Sequence, residues 1–208
     1  MTTKGLAAGP FPDNWPGFLL IGASTGGPAA LARLLPRFGP DFPAPILVCQ
    51  HMTKGFTVTL ADHLNRLCPL PVSEAKHGEE VTPGRIYIAP AGFQTRLQAD
   101  TSIRFHIDEA PGVYLYRPCI DVTLESLVPI YQQRLLAVIL TGMGRDGTEG
   151  CRQVKTGGGY VIVEAPESCV IYGMPRSVWQ AGLADAQVPL EAIADHIEQC
   201  RHNRGLPT

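Results

Sequence analysis

The chain contains no apolar run near the ~20 residues that a membrane-spanning helix needs, and MTTKGLAAGPFPDNWPG at its start lacks the apolar core of a signal peptide. Direct membrane insertion is therefore excluded from the reading, and the cytoplasm is the expected compartment. Basic excess is missing too: 17 Lys and Arg stand against 19 Asp and Glu, and no long run of one sign occurs. This argues against nucleic acid or a lipid surface as the main partner and leaves a protein or a small molecule. The six cysteines include no C-x-x-C pair and no His/Cys cluster at zinc spacing, so reduced thiols are expected. Cys49 and Cys169 have apolar neighbours and read as packing residues. No Gly-Lys-Ser/Thr follows the glycine-rich stretch near the start, which rules out a Walker phosphate loop, and its glycines are misplaced for a dinucleotide fingerprint. Internal repeats and low-complexity tracts are absent as well.

At 208 residues and 45% hydrophobic content, the chain suits one sizeable α/β domain with a well-buried core. Residues 1–17 mix proline and glycine without periodicity and read as a flexible leader or linker remnant; 18–202 carry the folded domain and 203–208 a C-terminal tail. FLLIGASTGGPAAL at 18–31 reads as strand, tight turn and helix, with PILVCQ at 45–50 a second buried strand and 55–67 a second helix. The short segments 72–75, 85–89, 93–98 and 103–107 are separated by Gly, Pro and Asp and are expected to form antiparallel ribbon. Helical pattern resumes at 120–131, LLAVIL at 135–140 is the most apolar strand, and 148–156, 160–163, 175–181 and 190–202 read as helix, strand, helix and helix. The expected fold is a doubly wound, mostly parallel α/β sheet, Rossmann-like, with helices on both faces and an antiparallel β insertion.

Gly22, Ser24 and Gly26 fit the G-x-S-x-G pattern, which exposes a serine on a sharp strand-to-helix turn. Taken alone, that turn leaves phosphate binding, helix capping and nucleophilic attack all open. The other strand ends narrow the choice, because ligands of doubly wound sheets bind beyond the carboxyl ends of the strands. Ser24 follows FLLIGA, His51 follows ILVCQ, and Asp146 follows LLAVILTGMGR. A hydroxyl, an imidazole and a carboxylate converging on one crevice supply nucleophile, base and orienting acid. Their order, Ser-His-Asp, differs from the Ser-acid-His order of α/β-hydrolases, so a different scaffold is expected. His63, His77, His106, His196 and His202 lie in helices, a turn, a ribbon strand or near the C-terminus and are weaker candidates. Asp121 is expected to begin a helix and Asp108 to sit in a turn.

The chain closely resembles the catalytic domain of the chemotaxis protein-glutamate methylesterases, the CheB-type family. The resemblance rests on IGASTGGP at 21–28, QHM at 50–52, GFT at 55–57, GRIYIAP at 84–90, Arg117, Pro118 and Asp121, LTGMGRDG at 140–147 and SCVIYGMP at 168–175. It implies hydrolysis of glutamate methyl esters on the methylated cytoplasmic helices of chemotaxis-type receptors, with release of methanol, and deamidation of receptor glutamines. It also implies Ser24 as nucleophile, His51 as base and Asp146 as orienting carboxylate, supported by Thr25 and by the Met143 N–H in the oxyanion hole. Gly26 and Gly27 would leave room for a protein substrate's ester, and the resemblance implies no metal and no cofactor. Chemotaxis members carry an N-terminal receiver domain that blocks the site until phosphorylated, whereas 17 residues precede the first strand here. A catalytic domain without receiver gating is the resulting expectation. A second departure is VYLYRPCID at 113–121, where the family typically has a more polar stretch resembling VNRHRPSVD. The substitution of Tyr114, Leu115 and Tyr116 there leaves the receptor open; a signalling receptor outside motility control and a non-catalytic, partner- or anion-binding module are the competing readings.

Overall fold

Every residue of β1 (Phe18–Ala23) is buried, because the strand is covered on both faces and has neighbours on both edges. The computed structural model describes residues 15–109 and 114–202. β1 pairs in parallel with β2 (Ile46–Gln50) on one side and with β7 (Leu135–Ile139) on the other. Beyond β2 lie β4 (Ile86–Ile88) and then β3 (Val72–Glu74); beyond β7 lie β8 (Tyr160–Glu164) and β9 (Ala186–Val188). All seven strands run parallel, in the order β3-β4-β2-β1-β7-β8-β9.

Strand alternation divides the interior into two cores. Leu19 and Ile21 of β1, Ile46 and Val48 of β2, and Leu136 and Val138 of β7 face α1 (Gly27–Leu34), α2 (Thr57–Asn65) and α6 (Ile193–His202). Phe18 and Leu20, Leu47 and Cys49, and Ala137 and Ile139 face α3 (Ile120–Tyr131), α4 (Thr148–Thr156) and α5 (Met174–Gln180). The period-2 geometry of a strand thus feeds both layers from one run of apolar residues.

The antiparallel insertion is smaller than the sequence predicts. Among the described residues, only β5 (Gln94–Ala99) and β6 (Ile103–Asp108) form the ribbon. Segments 72–75 and 85–89, expected in that ribbon, instead add β3 and β4 to the parallel sheet. Three-residue strands carry too little pattern to specify a partner's direction; the crossover through α2 decides it. β9 was not anticipated, since Ala186–Val188 is three residues long and only its last is buried. Asp108 closes β6 instead of occupying a turn.

Trp15, inside the expected leader, is 1% exposed and meets Tyr160 edge to face. Gly17 N–H donates to Arg134 O, so the packed domain reaches back at least to Trp15. Residues 1–14 and the expected tail 203–208 lie outside the described residues. No helix among the described residues is long and apolar enough to cross a membrane.

Candidate active site

The chain leaves β1 for α1 in one layer and leaves β7 for α4 in the other, so the connections diverge and open a crevice at the carboxyl ends of these neighbours. Register then places the candidate residues. Ala23 is paired with Gln50, so the next residues of the two strands, Ser24 and His51, emerge side by side. His51 N–H donates to Ala23 O at 2.9 Å, and Ser24 N–H donates to Thr141 O at 3.0 Å on the opposite side. Asp146 lies beyond β7 at the start of α4, just before Gly147.

Asp146 is 5% exposed and accepts five donors. His51 Nε2 is 2.7 Å from its Oδ2, which also accepts Ile120 N–H at 2.8 Å. Its Oδ1 takes the Cys119 thiol at 3.2 Å, Asp121 N–H at 3.1 Å and Gly147 N–H at 3.0 Å. Burial pushes the carboxyl upward, but the His51 bond and charge and the N–H donors of Ile120 and Asp121 outweigh it and hold it below the usual range. An ionised carboxylate only accepts, so the His51 proton sits on Nε2 and the basic lone pair on Nδ1. Nδ1 is buried and has no hydrogen-bond partner among the described residues. The ring is thus turned relative to the serine-protease arrangement, in which Nδ1 faces the acid.

Among the described residues, the hydrogen bonds that hold Ser24 all run through its backbone. Its carbonyl accepts Gly27 N–H and Gln50 Nε2, and the same Gln50 nitrogen donates to His51 O at 2.8 Å. Gln50, 2% exposed, therefore ties the two strand ends together. Gly142 backs directly onto the serine: a Cβ there would come within 2.7 Å of Ser24 Cβ. This puts Met143, whose side chain is 72% exposed, beside Ser24. Thr25 is exposed and its carbonyl accepts Thr141 Oγ1 at 2.9 Å. The space left by the two glycines faces protein. Gly26 has φ +84 and a Cβ would strike Val170, while one on Gly27 would strike Gln50 and Ala23. The glycines allow the tight turn and the close packing beneath it.

Sequence reasoning picked out Ser24, His51 and Asp146, with Thr25, Met143, Gly26 and Gly27 as support, but not Gln50, Thr141 or the role of Tyr116. Gln50 and Thr141 sat in recognised motifs with no reason to be singled out. Tyr116 was noted only as a departure; its ring stacks on His51 with centroids 4.1 Å apart and an interplanar angle of 4°. Asp121, in the first turn of α3, accepts Gly150 N–H at 2.7 Å, and burial followed by the Asp146 charge raises it to about 6. Cys119, Asp121 and Asp146 bring their ligand atoms within 4.8 Å of one another, but the bonds just described engage both Asp146 oxygens and one of Asp121. Burial pushes the Cys49 and Cys119 thiols up to about 12, and all six cysteines are free. His63 is exposed on α2, His77 accepts Ile107 N–H, His106 pairs with Asp108, and His196 is half-buried near Tyr160; none of these joins the crevice.

Fold and site together define a doubly wound α/β protein with serine, histidine and aspartate at three neighbouring strand ends. A family model described as CheB methylesterase matches residues 19–197. The chain belongs to the CheB methylesterase family. A protein-glutamate methylesterase/protein-glutamine glutaminase of Desulfitobacterium hafniense is 48% identical over 186 residues, 88% of this chain and 47% of that protein. One from Thermotoga maritima is 46% identical, over 86% of this chain and 52% of its own length. The chain thus spans about half the length of the curated relatives it matches. The crystal structure of the Thermotoga maritima CheB methylesterase catalytic domain superposes with a TM-score of 0.86 at 44% identity, covering 88% of this chain and 97% of that one.

Proposed function

We propose that this chain is a serine hydrolase that removes methyl groups from glutamate methyl esters on the cytoplasmic helices of chemotaxis-type receptors. The observation that carries the reading is the charge-assisted His51–Asp146 bond beside the Ser24 strand end, in a chain whose relatives are named for this activity. Ser24 Oγ attacks the ester carbonyl as His51 Nδ1 takes its proton, and Asp146 stabilises the resulting imidazolium. The oxyanion is met by the backbone N–H of Met143, with Thr25 supporting the turn beside it. His51 returns the proton to the departing methoxide, releasing methanol. Water activated by the same nitrogen then cleaves the acyl-enzyme to free the glutamate. A glutamine side chain follows the same path with ammonia leaving, as the glutaminase half of the relatives' names implies. The catalytic unit, which includes the packed residues from Trp15 onward, acts in the cytoplasm.

Exposed apolar side chains beside these residues, Leu115 next to Tyr116, Met143 next to Gly142 and Val170 against Gly26, favour a protein substrate over a small ester. The test is methanol release from methylated receptor membranes. Ser24→Ala should lower the rate by several orders of magnitude while the thermal midpoint stays near that of the parent. Full activity in a folded Ser24→Ala protein would sink the assignment.

A further inference from the structure

The Asp146 bond fixes one corner of the His51 ring, at Nε2. One hydrogen bond leaves the plane of the ring, and hence the direction of the Nδ1 lone pair, undetermined. What lies against that plane is Tyr116, parallel to within 4° at 4.1 Å between centroids. Tyr116 is itself well anchored. Its carbonyl accepts Gln94 Nε2 at 2.8 Å, and the Oε1 of this fully buried Gln94 accepts Cys119 N–H at 2.8 Å. Its hydroxyl end lies over Gly144, where an added Cβ would come within 3.1 Å of it. The ring is therefore held from the β5 ribbon on one side and by the loop after β7 on the other. With it in place, the His51 side chain is only 8% exposed.

We propose that Tyr116 is a positioning residue for the reaction: its ring fixes the imidazole plane so that Nδ1 faces Ser24, and its π-face stabilises the imidazolium once the serine proton has moved. An aromatic face attracts a cation more strongly than a neutral ring, so the contact favours the charged state that forms during attack. The work is done by the ring and not by the phenol hydroxyl. The inference rests on the reading of Ser24 and His51 as nucleophile and base.

The experiment compares Tyr116→Phe with two non-aromatic changes, Tyr116→Leu and Tyr116→Gln, each checked for folding by thermal unfolding. Two readouts are taken: kcat and KM for methanol release from methylated receptor membranes, and the rate at which a fluorophosphonate labels Ser24. Tyr116→Phe should keep at least about half of kcat, and the non-aromatic variants should lose about tenfold or more in both kcat and labelling rate, with KM within about twofold. A non-aromatic variant that labels and turns over like the parent overturns the proposal and leaves the esterase reading standing. So does a loss confined to KM, which would mark a substrate contact, or a Phe variant as impaired as Leu. If the parent releases no methanol yet Ser24 still labels in a His51-dependent way, the substrate reading fails while the labelling rates still decide the role of Tyr116. Labelling that ignores His51 overturns both.

Discussion

Asp121 and Asp146 are neighbours with opposite shifts, and the difference follows from how many donors each receives. Asp146 is filled by His51, the Cys119 thiol and three backbone N–H groups, whereas Asp121 has Gly150 N–H and the negative charge of Asp146 beside it. The folded pKa of Asp121, about 6, lies above its ordinary 3.8, so the folded chain holds that proton more tightly than the unfolded one. Its contribution to stability is complete below the ordinary value and is lost as pH rises through about 6. Solvent screening at this partly exposed side chain reduces the effect to the order of 1 kcal/mol. Asp146 has the opposite sign: its contribution is present above the ordinary carboxylate range and lost as pH falls through its lowered pKa. Asp121→Asn keeps the oxygen that accepts Gly150 N–H but removes the titration. Thermal midpoints at about pH 4 and about pH 7 should therefore drop more for the parent than for the variant. An equal drop in both would contradict the assignment. The candidates Ser24, His51 and Asp146 were legible in the sequence because each lies beyond the carboxyl end of an apolar run. Gln50 and Tyr116 were not, because bridging two strand ends and stacking on a ring depend on partners far away in the chain.

The element that couples the fold to the site is α3. Its first residue, Ile120, packs on β1 at Gly22, where an added Cβ would come within 2.6 Å of Ile120 Cδ1, and its N–H binds Asp146. One backbone position thus sets both the depth of the helix against the sheet and the donor set of the carboxylate. Gly22→Ala should push α3 outward and destabilise the protein by about 1–3 kcal/mol through overpacking. It should also reduce esterase turnover, because Ile120 N–H and Asp121 N–H move away from Asp146. Chemical denaturation and a methanol-release assay measure the two effects; an unchanged denaturation midpoint would mean that α3 relaxes without cost. The ribbon contributes from the opposite side of the helix, with Thr123 Oγ1 donating to Thr95 O and Leu97 N–H to Ser126 Oγ. An insertion that reads as peripheral in sequence is thereby bonded to the helix that positions the acid.

For the whole molecule, the two cores differ in how they are closed. The layer with α1, α2 and α6 is completed by Trp15, nearly fully buried and supplied by a stretch that composition alone assigns to a leader. Trp15→Ala should cost about 3–5 kcal/mol, the range for deleting a large buried aromatic, and should lower the thermal midpoint accordingly. A fragment that begins at Phe18 should show a similar loss by the same measurement. A fragment as stable as the full chain would show that Trp15 fills no essential space. Composition missed this because Pro and Gly on both sides of a single tryptophan give no periodicity to detect.

Sequence by itself determined the strands β1, β2, β7 and β8, since strands covered on both faces read as near-continuous apolar runs. It also determined which reactive side chains follow those strands, and the motifs that carry family membership. Tertiary structure alone decided that residues 72–74 and 86–88 join the parallel sheet, because direction and partner in three-residue strands come from crossover geometry and not from side-chain pattern. It alone decided as well which nitrogen of His51 meets Asp146, and that an aromatic ring from a distant segment fixes the plane of that imidazole. Such orientations depend on the simultaneous packing of β2, the loop after β7 and the start of α3, which no local stretch of the chain encodes.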